Sequence, residues 1–332
     1  MVKFDVEHVL ILVIIVFFLY HLSSCRCSNN GFRIGGQGIQ CDENVLNTCL
    51  KNIKTKKNEC RNMNLSYCDL SSKNFSNVDL TDTNLTWADL TDADLTDATL
   101  TGTNLKNINL TGAHLEMANL EMTNLTGAHL KNATLTDTNL TNASLAYAHL
   151  EGANLRNADL TGTHLTDAIF DGAHLENASL TEADLTEAEF DNASLTGAYL
   201  NNAILVSAFF TNTDLTNANL AGADLTNADF DSADLTGVDL KNVINALDAK
   251  CSKTTTFPYN SLYKCSQWDS QRRGYFWEIN TCNEALRTIC PDVNKATCRI
   301  CTGTHQHPLR TAGCSSSYLN KYCDKSPDAD FA

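Results

Sequence analysis

The chain has 332 residues, enough for two or three domains of ordinary size, and its formal net charge is −15. The 39 Asp and Glu residues outnumber the 24 Lys and Arg residues, which disfavours direct binding to nucleic acid because such binding requires a basic surface. The same balance disfavours docking on an anionic membrane surface. Most of the acidic excess lies in residues 64–245, which carry 26 acidic and five basic side chains.

The N-terminal segment predicts export. Lys3 precedes an unbroken apolar run from Val9 to Tyr20, which has the length of a signal-peptide core and is too short for a comfortable membrane span. We therefore expect residues 1–27 to be a cleaved signal peptide, with no membrane span left in a secreted or periplasmic protein. Two alternatives stay open, because an uncleaved signal or a lipidated Cys25 would anchor the chain to a membrane.

The cysteines agree with export. None of the 14 lies between Cys68 and Cys251, and the candidates for disulfide pairing form two even-numbered clusters, as expected in an oxidising compartment. Spacing alone does not determine the partners. For the second cluster a zinc site that includes His305 and His307 is the alternative. The candidates are Cys41, Cys49, Cys60 and Cys68 in the first cluster, and Cys251, Cys265, Cys282, Cys290, Cys298, Cys301, Cys314 and Cys323 in the second.

A five-residue repeat dominates the middle of the chain. From Leu65 to Leu240 every fifth residue is Leu or Phe, which gives 36 positions. A small residue, usually Ala, lies two positions before each, and Gly, Asn or Asp often lies two positions after. A period of five fits neither a helix nor a flat strand. The chain must therefore turn in every unit, and the resulting coils are expected to stack and to pair their backbone groups.

Two substitutions predict four units per coil. Phe replaces Leu, and Thr replaces Ala, at positions separated by multiples of 20 residues. The positions are Phe170, Phe190, Phe210 and Phe230, and Thr83, Thr103, Thr123 and Thr163. We expect the phenylalanines to lie above one another, and the stacked threonines to hydrogen-bond one another. The 36 units then give about nine coils, or a rod of roughly 43 Å at a ladder spacing of about 4.8 Å.

The unit Ala-(Asp/Asn)-Leu-X-X resembles the repeat of the pentapeptide-repeat family over residues 64 to about 243. The resemblance implies an all-β solenoid, a right-handed quadrilateral β-helix with type II or type IV turns. Members of the family differ in function, so the resemblance transfers the fold better than the activity.

Different structures are expected at the two ends. Residues 28–63 are predicted to form a Cys-containing N-terminal cap with an amphipathic helix over 43–58, which Cys60 and Cys68 would join to the first coil. After Leu240 the period ends, and a second cap helix is predicted to start near Val243. Residues 244–332 are expected to form a small disulfide-rich domain that resembles no recognised family.

Several residues are predicted to face outward. Tyr67, Trp87 and Tyr147 share one outer face in the 20-residue register, and His129 and His149 are expected to stack at the surface. An apolar patch is predicted for a partner, or for the C-terminal segment, to cover; its residues are Tyr199, Ile204, Val206 and Phe209. Sequons place candidate N-glycosylation at Asn64, Asn74, Asn84, Asn109 and Asn124.

The sequence contains no recognisable catalytic motif. No Ser-His-Asp or Cys-His arrangement and no glycine-rich phosphate loop occurs, so we expect no enzyme, no cofactor and no metal. The leading hypothesis is a secreted, non-catalytic scaffold for an unidentified protein partner, of open oligomeric state. The alternative is an acidic DNA mimic, since some acidic pentapeptide-repeat proteins resemble B-form DNA and occupy topoisomerases. A third is ice binding by a threonine ladder: Thr81, Thr101, Thr141, Thr161 and Thr181.

Overall fold

The computed structural model describes residues 41–55, 59–258, 263–265 and 275–279. The predicted signal peptide lies outside the described residues, and so does the alternative zinc site. Six of the candidate disulfide cysteines also lie outside: Cys282, Cys290, Cys298, Cys301, Cys314 and Cys323. The named elements are helix α1 (Glu43–Lys54), strand β1 (Asp229–Phe230), a 3₁₀ helix (Ala246–Asp248), and strands β2 (Lys250–Cys251), β3 (Tyr263–Cys265) and β4 (Tyr275–Ile279).

Each five-residue unit ends in a tight turn. In one example the backbone N–H of Ala88 donates a 3.0 Å hydrogen bond to the Leu85 carbonyl, and the third residue of the turn, Trp87, has φ 60°. This combination is typical of a type II turn. The third turn residue has a positive φ in every unit from Asn62 to Asn242, which explains why Gly, Asn and Asp recur at this position.

Parallel bridges between residues 20 apart stack the units into a four-sided solenoid, so the predicted register is confirmed. We name each side by its first bridged residue. The Glu59 face runs from Glu59 in steps of 20 to Asp239, and the Asn64 face from Asn64 to Ile244. The Asp69 face runs from Asp69 to Asp229 and then Lys250, and the Asn74 face from Asn74 to Asp234 and then Thr256.

The interior is a column of large apolar side chains. Every Leu or Phe of the repeat from Leu65 to Leu235 is at most 1% exposed. Phe190 stacks on Phe170 with ring centroids 4.7 Å apart, and on Phe210 at 5.0 Å. Full burial of one Leu contributes about 1.5–3 kcal/mol, so the repeated column is the dominant driving force for folding.

The interior threonines correct one prediction. They do not hydrogen-bond one another; their hydroxyls donate to backbone carbonyls instead. Thr103 Oγ1 donates to the Leu80 carbonyl at 3.0 Å, whereas Thr123 Oγ1 donates to the Leu120 carbonyl in its own turn at 2.7 Å. A carbonyl oxygen accepts more than one hydrogen bond, so the threonines satisfy their buried hydroxyls without disturbing the ladder.

The helix predicted over 43–58 is present as α1 and packs against the first coil. Its N-cap is Asp42, whose Oδ1 accepts hydrogen bonds from the Asn44 and Val45 N–H groups, as is usual for an Asp at this position. Val45, Leu46 and Ile53 pack against the core. Two disulfides, Cys41–Cys68 and Cys49–Cys60, join the helix segment to the first coil.

The solenoid also extends beyond residue 243. Ile244 bridges Asp224, Lys250 pairs with Asp229 and Thr256 bridges Asp234, so the chain separations are 20, 21 and 22 residues. This level lacks the repeat motif, but its backbone continues the ladders on three sides. The helix predicted to start near Val243 is therefore wrong; only the short 3₁₀ helix forms there.

A short mixed sheet continues the ladder at the C-terminal end of the Asp69 face. The strand order is β1-β2-β4-β3, with β1 and β2 parallel and β4 antiparallel to both β2 and β3. A third disulfide, Cys251–Cys265, joins β2 to β3. Among the described residues no helix is long and apolar enough to cross a membrane.

We expect Phe190→Ala to lower the free energy of unfolding by about 3–5 kcal/mol, because it leaves a cavity between two stacked rings. Phe209→Ala is the matched control, since Phe209 is 40% exposed and its loss should cost under 1 kcal/mol. Chemical denaturation measures both. Equal losses for the two variants would contradict the stacked interior column.

Replacing Cys41 and Cys68 together by Ala should lower stability by about 3 kcal/mol, since this disulfide closes a loop with a separation of 27 residues in the unfolded chain. Thermal unfolding under oxidising conditions measures the loss. In a reducing buffer the variant and the wild type should unfold at similar temperatures. A double variant as stable as the wild type without reductant would contradict the pairing.

Candidate functional surfaces of the solenoid

The four faces differ in charge. On the Asn64 face the first five levels are residues 64–67, 84–87, 104–107, 124–127 and 144–147. Their only charged side chain is Lys106. At comparable levels the other faces carry acidic groups, among them Asp79, Asp89 and Asp94. The acidic excess of the rod is therefore absent from the first half of one face.

The Asp69 face carries a carboxylate cluster, defined as Glu151, Asp171, Glu189 and Asp191. Burial raises the pKa of Asp171, and the negative charge of Asp191 raises it further. The pKa of Glu189 is raised by burial and then by Asp171 and Asp191. Within the described residues one oxygen of Asp171 and one of Glu151 are buried without a hydrogen-bond partner. The cluster is thus electrostatically unfavourable, with repulsion between successive levels.

Local contacts lower the pKa of two other carboxylates, Asp69 and Glu176. The side-chain hydroxyl and backbone N–H of Ser71 donate to Asp69 Oδ1 at 2.6 and 3.1 Å and lower its pKa. For Glu176, burial opposes ionisation, but its own backbone N–H and the Arg156 guanidinium, 3.0 Å away, outweigh burial and lower the pKa. These carboxylates are stabilised by local contacts, which is typical of structural surface groups.

The histidines line the outside of the ladders. His129 and His149 stack with centroids 5.0 Å apart and an interplanar angle of 7°, as the register predicted. Burial lowers the pKa of His129, and His149 lowers it further. His149 Nδ1 lies 3.6 Å from Glu151 Oε1. In the described part of the chain no group of three His, Cys, Asp or Glu side chains is arranged to hold a metal ion.

The apolar patch predicted from the sequence is divided among three faces. Tyr199 lies on the Glu59 face, Ile204 and Val206 on the Asn64 face, and Phe209 on the Asp69 face. Tyr199, Ile204 and Phe209 are exposed, but residues five apart in the chain face different directions in a four-sided coil. Only Ile204 and Val206 share a face, so these four residues do not form one patch.

The candidate glycosylation sites are all at the centre of a face. Several of their amide nitrogens already donate within the ladder: Asn74 Nδ2 to Asp94 Oδ2 at 2.8 Å, Asn84 Nδ2 to Asn64 Oδ1 at 3.0 Å, and Asn109 Nδ2 to Thr91 Oγ1 at 2.8 Å. Asn64 and Asn124 are exposed. Glycosylation at these five positions stays a prediction.

The threonine ladder is less suited to ice than its spacing suggests. Thr81 Oγ1 donates to Asp79 Oδ1, and Thr141 Oγ1 donates to Asn139 Oδ1, both at 2.6 Å. Thr181 Oγ1 donates to Asn201 Oδ1 at 3.1 Å. These hydroxyl hydrogens are used within the protein, which leaves them poorly placed to match a water lattice.

The family model for pentapeptide repeats matches eight overlapping copies that together span residues 59–244, more than half of the chain. The chain belongs to the pentapeptide-repeat family. Membership carries the right-handed β-helix and, in general, a non-catalytic role as a structural or binding protein. No curated protein gives a significant sequence match.

Solved pentapeptide-repeat structures resemble this one. HetL, involved in heterocyst differentiation regulation in the cyanobacterium Nostoc sp. strain PCC 7120, is 29% identical with a TM-score of 0.53; the match covers 63% of this chain and 94% of HetL. A protein from the Arabidopsis thaliana thylakoid lumen is 28% identical with a TM-score of 0.22, over 36% and 72% of the two chains. QnrB1, a plasmid-mediated fluoroquinolone resistance protein, is 16% identical with a TM-score of 0.28, over 53% and 92%.

The backbone angles of this pentapeptide-repeat protein give the conformation of three aligned aromatic residues. Tyr67, Trp87 and Tyr147 occupy the third turn position at one corner of the Asn64 face, each with φ 60°. Large side chains are uncommon in this left-handed region. The sequence shows that these aromatic residues replace the Gly, Asn or Asp that is usual at this position of the repeat. The energetic cost of the replacement depends on the turn type.

We expect Asp171→Asn to raise the free energy of unfolding by about 0.5 kcal/mol at neutral pH, because it removes a charge repelled across the ladder. The pKa of Asp171 is raised in the folded protein, so the carboxyl becomes neutral there first as the pH falls. The advantage of Asn should therefore shrink in acid. Urea titrations at neutral and acidic pH measure both values, and a variant less stable than the wild type at neutral pH would contradict the repulsion.

Proposed function

We propose that this pentapeptide-repeat protein is an exported, non-catalytic scaffold that presents a binding surface on a rigid rod. The observation that carries the proposal is the presence of disulfides at both ends of the rod: Cys41–Cys68 and Cys49–Cys60 at the first coil, and Cys251–Cys265 at the last. Disulfides persist in oxidising compartments and are rare in the cytosol. The apolar run from Val9 to Tyr20 supports the same destination.

The rigidity of the rod favours binding over catalysis. Outward side chains are held in register by hydrogen bonds between levels, such as Leu150 N–H to the Ile169 carbonyl at 2.7 Å and Ile169 N–H to the Ala148 carbonyl at 2.9 Å. Such a surface is pre-organised, so a ligand that matches it loses little conformational entropy of the protein on binding. The partner itself is not identified by this argument.

Intact mass spectrometry of the native protein tests the proposal. We expect a chain that begins after residue 27, in which the twelve remaining cysteines are all oxidised, so that reduction adds twelve hydrogens. Retention of residues 1–27 with oxidised cysteines would support the anchored alternative, and a lipid on Cys25 the lipoprotein alternative. A full-length chain with free thiols throughout would refute export.

The acidic DNA mimic is the second candidate, favoured by the 26 acidic and five basic side chains of residues 64–245. An exported protein would not meet an intracellular topoisomerase, so the two candidates are in conflict. A DNA gyrase supercoiling assay with and without the purified protein distinguishes them. We expect no inhibition, and inhibition at stoichiometric protein would favour the mimic.

A further inference from the structure

Three aromatic side chains line one corner of the Asn64 face against the local preference of the backbone. Trp87 and Tyr147 are 54% and 59% exposed, and Tyr67 occupies the same corner one level before Trp87. A large side chain in the left-handed region is unfavourable relative to an ordinary conformation. The intervening levels carry Asn107 and Gly127, the residue types that the turn favours. Large side chains in strained backbone conformations are candidates for a functional role.

The surface beside this corner is neutral and rich in amides and hydroxyls. We define the neutral strip as residues 64–67, 84–87, 104–107, 124–127 and 144–147. Asn84 Nδ2 donates to Asn64 Oδ1 at 3.0 Å, and Thr86 Oγ1 donates to Asn84 Oδ1 at 2.6 Å, so the amides of the first two levels are held in place by hydrogen bonds. Lys106 is the only charged side chain in the strip.

We propose that the neutral strip binds a neutral polysaccharide that lies along the axis of the rod. The flat C–H faces of pyranose rings stack on aromatic side chains, and sugar hydroxyls exchange hydrogen bonds with amides and hydroxyls. This inference rests on the proposed function, because such polymers occur mainly outside the cytoplasm. It adds to that function the chemical class of the ligand and the residues that bind it.

Charge excludes the other ring-bearing polymers. Single-stranded nucleic acid also stacks on aromatic side chains, but its binding sites add a positively charged groove. Here the strip has a single cation on a rod whose residues 64–245 carry 26 acidic and five basic side chains. Anionic polysaccharides would meet the same repulsion. A neutral chain matches the strip, which carries no acidic side chain.

Size argues against a folded protein or a second copy of the chain. Five levels extend about 24 Å along the rod at the usual ladder spacing, and one side is about three extended residues, or roughly 10 Å, wide. The strip therefore offers roughly 240 Å², well below the ~800 Å² per partner of a standard protein interface.

Trp87 and Tyr147 are three levels apart, about 14 Å, and a pyranose unit of an extended chain is similar in length to one level.

The proposal conflicts with glycosylation of the strip. The candidate sites Asn64, Asn84 and Asn124 lie within it, and an attached glycan would cover the aromatic corner. The two predictions are therefore mutually exclusive, and peptide mapping of the native protein decides between them. N-linked glycans on Asn84 or Asn124 would overturn the polysaccharide site.

The binding test uses the full mature protein and defined polymers. Its retention is measured on insoluble cellulose, on insoluble chitin and by affinity electrophoresis in a neutral β-mannan gel, with anionic polygalacturonate as the control polymer. We expect retention by at least one neutral polymer and none by polygalacturonate. Trp87→Asn and Tyr147→Asn should each weaken binding at least tenfold. The unfolding temperature should not fall, because Asn tolerates the left-handed conformation.

Met117→Asn is the matched control. Met117 is 57% exposed with φ 57° at the corner between the Asn74 and Glu59 faces, so the substitution repeats the chemical change away from the strip and should leave binding unchanged. Retention on none of the neutral polymers, or equal losses for all three variants, would overturn the proposal. So would a dimer, detected by sedimentation, that Trp87→Asn dissociates. If the chain is cleaved and oxidised but does not bind, the polysaccharide ligand is refuted, whereas the proposal of an exported scaffold is not.

Discussion

The structure depends on the register of 20 residues between hydrogen-bonded levels. On each side of the coil, some N–H groups donate to the following level and others to the preceding level. For example, the Leu150 N–H donates to the Ile169 carbonyl, and the Ile169 N–H donates to the Ala148 carbonyl. The register also brings identical interior positions into contact, so Phe190 meets Phe170 and Phe210. The same 20-residue register therefore pairs the backbone N–H and carbonyl groups and buries the apolar side chains. Neither can be altered at one level without affecting the levels beside it.

Most of the solenoid could be predicted from its sequence because interior positions repeat without exception. Phe170, Phe190, Phe210 and Phe230 gave the length of the coil directly. The partners of the interior threonines could not be predicted, since the choice between a neighbouring hydroxyl and a carbonyl depends on distances within the turn. The irregular level from Ile244 to Thr256 could not be predicted because it lacks the repeat motif. Its backbone continues the ladders, but it does not extend the leucine column.

The surface was harder to predict than the core, for a geometric reason. Tyr199, Ile204 and Phe209 are neighbours in sequence, but each belongs to a different ladder. Residues that act together on such a rod are separated by 20 positions, and Trp87 and Tyr147 are 60 apart on one corner. Their significance depends on the left-handed turn conformation, which the repeat suggests through its Gly, Asn and Asp residues but does not prove.

The reversal of strand direction at the C-terminal end has a consequence for assembly. A parallel ladder that stopped abruptly would expose an edge whose polarity matches the first coil of another molecule, and rods could then join head to tail into fibres. Strand β4 runs antiparallel to β2, so on this side a further coil would meet the wrong hydrogen-bonding pattern. At the other end, α1 is tied over the first coil by two disulfides. The length of the rod is thus limited by its ends, although the repeat itself carries no signal to stop.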